Sequence, residues 1–174
     1  MIVMGLRPAK CYSKPKTKPY TRMSRRRPKN RYVKGFPLPK IHHFETGQKG
    51  NYALTSYLIS KQASQIRSNA LEAIRITISK NLAKGIGEKQ YFMKILVYPH
   101  HVMRENPLAT GAGADRYSTG MRRSFGKPIG QAARVRKDQR IVMVQSPAGS
   151  EKAVKEAFRR GAAKLTGSYR VEIK

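Results

Sequence analysis

The sequence predicts an α+β fold: a two-layer α/β sandwich with two main helices packed on a mixed, mostly antiparallel sheet, plus an extended basic N-terminal arm. Three observations point there. Ile66–Leu82 and Val154–Leu165 carry apolar residues at helical spacing. Short β-branched and aromatic runs fall at Asn51–Ile59, Tyr91–Val97, Arg140–Gln145 and Tyr169–Ile173. Residues 1–40 carry 13 basic groups, no acid and six prolines, with almost no apolar periodicity.

The arm, residues 1–40, is expected to be extended and poorly ordered in water, because it cannot bury enough surface to offset chain entropy. An anionic surface would neutralise and order it. Read alone, its Ser24–Lys29 stretch also fits a solubilising tail or a nuclear-import signal. Residues 41–174 read as a single domain. After the first strand, Ser60 or Ser64 can cap a helix whose apolar face is Ile66, Ala70, Ala73, Ile74, Thr77, Ile78 and Leu82. Arg67 falls inside that arc on a helical wheel, where snorkelling or pairing with a buried acid is favoured over RNA contact. Gly85 and Gly87 end the helix. Pro99 closes the Tyr91–Val97 strand. Ser150 caps the second helix, whose stripe is Val154, Ala157, Phe158, Gly161 and Leu165, and Gly167 stops it. Tyr169, Val171 and Ile173 then alternate with Arg170, Glu172 and Lys174. Between strands, residues 98–127 show little helix or strand signal and hold Gly111, Gly113, Gly120 and Gly126, as a long functional or mobile loop would.

Charge narrows the function. The 174 residues hold 37 Lys and Arg against 9 Asp and Glu, a net +28. Such an excess repels itself in the folded state and points to a polyanionic partner. Cys11 is the only cysteine, so no internal disulfide or Cys-based zinc site can form. No apolar run approaches the ~20 residues that span a bilayer. The opening MIVMGLRPAKCY lacks the pattern of a signal peptide. A soluble, intracellular, polyanion-bound protein is expected, with no membrane contact.

Catalytic motifs fail on inspection. His42-His43 and His100-His101 are adjacent pairs whose rings point to opposite faces of an extended chain, so neither pair chelates through both rings. Thr110–Arg116 resembles the start of a dinucleotide fingerprint but has Arg116 where the third glycine belongs. Gly126-Lys127-Pro128 is no P-loop. The nine acids are scattered, without the convergent carboxylates that a metal-dependent nuclease needs. No enzyme, no metal and no cofactor are expected.

The basic set is the stronger signal. Arg122, Arg123, Lys127, Arg134, Arg136 and Lys137 follow the long loop, interleaved with small residues that let guanidinium groups and backbone approach phosphates. Tyr12, Tyr20, Tyr32 and Phe36 punctuate the arm and are placed to stack on unpaired bases. A free-standing RNA-binding assembly or architectural factor shares these features. An RNA-acting enzyme is disfavoured by the missing constellation.

Several stretches together resemble one family. They are Arg7–Tyr12, Pro39–Ile41, Gln65–Ala73, Tyr98–Asn106, Ala112–Arg116, Gly120–Arg122, Ser124–Pro128 and Ala133–Val135. The sequence is similar to the large-subunit ribosomal protein called L-ten-e in archaea, of the universal L-sixteen family, and its flavour is archaeal rather than bacterial. Residues 1–3 precede what looks like the family's usual start, which leaves Met4 as an alternative initiator.

The resemblance implies a structural, non-catalytic constituent of the large ribosomal subunit, hence cytoplasmic, with a hammerhead-like β insertion in its sandwich. Its implied partners are large-subunit rRNA near the peptidyl transferase centre, the vicinity of 5S rRNA, A- and P-site tRNA, and neighbouring ribosomal proteins. Expected rRNA-binding residues are Arg7, Lys10, Lys14, Lys16, Lys18, Arg22, Arg25, Arg26, Arg27, Lys29, Arg31 and Lys34 in the arm. Arg122, Arg123, Lys127, Arg134 and Arg136 join them from the domain. The expected tRNA-facing loop comprises Val102, Met103, Arg104, Glu105, Asn106, Pro107, Leu108, Ala109, Thr110, Gly111, Ala112, Gly113 and Ala114.

Overall fold

The computed structural model describes residues 6–12, 20–21, 26, 32–35, 37–106, 113, 116, 120–122 and 124–174. Its strands are β1 (Glu45–Gly47), β2 (Leu54–Ser60), β3 (Ser64–Arg67), β4 (Phe92–Ile95), β5 (His101–Glu105), β6 (Lys127–Val135), β7 (Arg140–Ser146) and β8 (Tyr169–Ile173). Its helices are α1 (Ser68–Gly85) and α2 (Glu151–Ala162). Five strands form one sheet in the order β1-β4-β7-β2-β8, and three form another in the order β3-β6-β5. Every registered pairing is antiparallel. Among the described residues no helix is long and apolar enough to cross a membrane.

One core unites helices and sheets. Leu71, Ile74, Ile78 and Leu82 of α1 and Val154, Ala157 and Phe158 of α2 are fully buried against Leu58, Met93, Val142 and Val144 of the large sheet. Ile66, Ala133 and Val135 of the small sheet join the same cluster. Each of these side chains larger than Ala contributes roughly 1.5–3 kcal/mol by leaving water. The helices meet at Gly161, where a Cβ would stand 2.7 Å from Ile78 Cγ1 and 3.1 Å from Ile74 Cγ1. The buried stripe expected for α2 is observed, Leu165 included. Ser150 occupies the N-cap position of α2, but its hydroxyl turns back to Pro147 O at 2.6 Å instead of capping. The end of α1 is as expected: Gly87, at φ +115°, returns its N–H to Ala83 O at 3.1 Å.

Two expectations are corrected. First, α1 begins at Ser68, not after Ser60 or Ser64, because Ser64–Arg67 pairs with Val135–Ala132 as β3. Arg67 therefore stands before the helix rather than on its apolar arc. Second, the long segment at 98–127 is not structureless throughout, since β5 lies within it and β6 begins at its end. The sequence hides both strands. His101, Val102 and Met103 are buried in succession, so period-two alternation is lost. In β6, Pro128 lacks an N–H donor, and the register shift between Met103 and Arg104 accommodates it as a bulge. Of the described arm residues, two are buried. Ala9 in the 3-10 turn Ala9–Cys11 is buried with Met103 and Ala132. Val33 is buried as well.

Candidate nucleic-acid interface

The small sheet has two unlike faces. Ile66 and Ala133 are register partners that point into the core. The neighbouring pairs Gln65–Arg134 and Arg67–Ala132, with His101 and Met103 from β5, occupy the opposite face. The Ala9–Cys11 turn lies on that face, with Gln65 Nε2 donating to Ala9 O at 3.2 Å.

Beside the turn, four side chains form a chain of polar contacts. Arg67 Nη2 donates to the Tyr12 hydroxyl at 2.9 Å, and that hydroxyl donates to Glu105 Oε2 at 2.6 Å. Arg7 Nε lies 3.6 Å from the other oxygen of Glu105. The Arg67 guanidinium also sits 5.2 Å from the centre of the Tyr12 ring. Burial pushes the Tyr12 phenol above its ordinary value, and the hydrogen bond to Glu105 adds to the shift. Arg67 thus pairs with an acid through a tyrosine rather than directly.

The root of the long loop is built from cation and aromatic contacts. The Arg104 guanidinium lies 4.6 Å from the Phe125 ring centre and 5.7 Å from that of Tyr20, and these two rings meet edge to face at 5.5 Å. Arg104 also donates to the carbonyl oxygens of Phe125 and Gly126. Gly126 has φ +78°, and any side chain there would run into the Glu105 carbonyl and Asn106 N. The two ends of the loop are therefore clamped together.

The segment expected to face tRNA begins inside β5. Val102 and Met103 are buried strand residues, paired with Gln131 and Gly130, and Arg104 and Glu105 are engaged in contacts within the protein. Asn106 is half-buried and Gly113 exposed, while Pro107, Leu108, Ala109, Thr110, Gly111, Ala112 and Ala114 lie outside the described residues.

The histidine pairs do face opposite ways at 100–101. His100 is exposed, and His101 is buried with its Nδ1 accepting from the Tyr20 N–H at 2.9 Å. Burial, with the Arg134 charge adding to it, holds His101 below the usual histidine value. Among the described residues no group of three or more His, Cys, Asp or Glu is placed to hold a metal ion.

Charge is distributed unevenly. Around the helices and the large sheet, acids find local partners: Glu45 with Lys49 and Lys94, Glu72 with Arg75, and Glu156 with Arg159 and Arg160. Asp138 meets Arg170, and Glu172 meets Lys174. The three strands of the small sheet hold one acid, Glu105, and it is engaged by Arg7 and Tyr12. Against it stand Arg67, Arg104, Lys127 and Arg134 on those strands, flanked by exposed Lys10, Arg122, Arg136 and Lys137. Lys10, Lys127, Arg136 and Lys137 have no carboxylate within ion-pair reach among the described residues.

Of the expected rRNA-binding set, Arg7, Lys10, Arg26, Lys34, Arg122, Lys127 and Arg136 are exposed, and Arg134 is half-buried on the outer face of the small sheet. Lys14, Lys16, Lys18, Arg22, Arg25, Arg27, Lys29, Arg31 and Arg123 lie outside the described residues. Tyr12 and Tyr20, expected to stack on bases, are engaged inside the protein; Tyr32 is exposed, and Phe36 lies outside the described residues. Sequence reasoning missed the Arg67–Tyr12–Glu105 and Arg104–Phe125 contacts. The one available signal was that Glu105 is the lone acid in a strongly basic region.

A sheet face with one neutralised acid among many cations suits a polyanion, and comparison with known proteins agrees. The family model for ribosomal protein L16p/L10e matches residues 15–172. The large ribosomal subunit protein uL16 of Staphylothermus marinus is 45% identical over 172 residues, covering 98% of this chain and 95% of its own length. Its counterpart in Hyperthermus butylicus is 42% identical over 176 residues, covering 98% and 94%. That of Thermofilum pendens is 41% identical over 171 residues, covering 98% of both. A family match over most of the chain and relatives above 40% identity lead to one conclusion: the chain belongs to the ribosomal protein L16p/L10e family.

Proposed function

We propose that this protein is a structural constituent of the large ribosomal subunit and acts in translation by binding and positioning RNA, with no catalytic chemistry of its own. The acid-poor outer face of the small sheet carries the reading. Its cations, with those of the arm, dock on large-subunit rRNA beside the peptidyl transferase centre and near 5S rRNA, among neighbouring ribosomal proteins. The relatives named as large ribosomal subunit proteins support this assignment. The hammerhead-like insertion corresponds to β5, β6 and the segment between them. That segment, from Asn106 to Ala114, faces the A- and P-site tRNAs; it carries no charge, which suits a transient ligand better than a permanent anchor.

Sedimentation of native lysate in high salt, with and without ribonuclease, tests the proposal. About one copy of the chain is expected per large subunit, released by ribonuclease. A chain found only at the top of the gradient, or bound substoichiometrically, would instead make it a free RNA-binding factor.

A further inference from the structure

Three aromatic rings form a ladder where the chain enters β1 and leaves β4. Phe44, whose carbonyl accepts from the Ile95 N–H at 2.8 Å, packs against the core. Tyr98 stacks on it with ring centres 5.2 Å apart and planes 23° from parallel. His100 lies over Tyr98 at 4.5 Å, tilted by 45°. Tyr98 is 42% exposed and His100 is exposed.

These rings are held but not used up. Neither the Tyr98 hydroxyl nor a His100 ring nitrogen has a hydrogen-bond partner among the described residues. The contrast with the neighbouring aromatics is sharp. The Tyr12 hydroxyl has two partners, the His101 ring accepts from Tyr20, and the Tyr20 ring is covered by Phe125 and Arg104. The ladder's surroundings are basic. In sequence no carboxylate occurs between Glu88 and Glu105, and Lys40, His42 and His43 lead into the ladder; the nearby acids are paired, Glu45 with Lys49 and Lys94, and Glu72, which faces His42 and His43, with Arg75.

We infer that the Tyr98–His100 face is a stacking site for an unpaired RNA base. The inference rests on the RNA-binding reading above and assigns one contact within it. The ladder is pre-ordered, so a base adds a fourth ring without ordering the first three. A ring-sized apolar surface in a basic setting suits a nucleobase, whereas a protein partner needs a broader apolar face.

Binding of the full-length chain to a labelled oligoadenylate, and to the same strand made abasic, tests this. Replacing Tyr98→Leu together with His100→Leu should weaken oligoadenylate binding by roughly tenfold or more while leaving the abasic strand and the salt dependence unchanged. The pair Tyr98→Phe with His100→Phe should retain oligoadenylate binding, since the rings remain. Equal losses on both strands, or no loss on oligoadenylate, would overturn the stacking site. Absence of any salt dependence in the unsubstituted chain would overturn RNA binding itself, so the two failures are distinct.

Discussion

Tyr12→Phe removes one oxygen and tests whether the arm is fastened to the root of the long loop. The hydroxyl accepts from Arg67 at 2.9 Å and donates to Glu105 at 2.6 Å. Hydrogen bonds to charged groups are worth about 1.5–3 kcal/mol when shielded. Here the Glu105 side chain is 21% exposed and keeps Arg7 at 3.6 Å, so water and a second cation recover part of the loss. The ring remains under the Arg67 guanidinium. A net destabilisation of about 1–2 kcal/mol follows. Urea unfolding at neutral pH reads it, and a cycle with Glu105→Gln should show coupling of about 1 kcal/mol. The phenol adds a signature in alkali. Its folded value is raised, so the stability it contributes is whole below its ordinary value near 10 and is lost as pH rises through the folded one. The Tyr12 share of that alkaline loss should vanish in Tyr12→Phe, leaving the share of Tyr169, whose phenol is also raised by burial. A variant as stable as the parent, with no coupling to Glu105, would refute the fastening.

Gly161→Ala should destabilise the fold by about 1 kcal/mol, because the added methyl meets Ile74 and Ile78 between two buried helices and only part of its overpacking cost is offset by helix propensity. Gly85→Ala, whose methyl would touch only Ala153 at the exposed end of α1, is the control in the same urea series, and a stabilised Gly161→Ala would contradict the close crossing. His101 titrates below the usual histidine value, so the stability it contributes is present above about pH 6.5 and is lost as pH falls through the folded value; NMR titration of its ring at or above 6.5 would contradict this. Replacing Arg122, Arg123 and Lys127 together with Ala should reduce the slope of log K for RNA against log salt by roughly 2, and unchanged subunit occupancy at raised salt would count against their docking role.

The helices and the strands with one buried face were legible, because an apolar stripe survives in sequence whatever lies opposite it. Val154, Ala157, Phe158 and Gly161 identify α2 without its partners. β1, β3, β5 and β6 were not legible. The core and the arm cover β5 from both sides, Pro128 and Gly130 argue against a strand, and β3 runs into α1 with no intervening turn. The basic surface could be read from composition alone, since long-range charge needs no register. The Tyr12–Glu105 bond could not: its partners are 93 positions apart, and only the folded sheet brings them together.

Tyr20 has a consequence that begins before any RNA is met. β5 ends the order β3-β6-β5, and an unpaired strand edge is a template on which a second copy can add itself. The Tyr20 carbonyl accepts the Val102 N–H at 3.0 Å, and its own N–H is spent on His101. Tyr20 thus occupies the β5 edge at Val102, and a second copy cannot pair with that position while Tyr20 is in place.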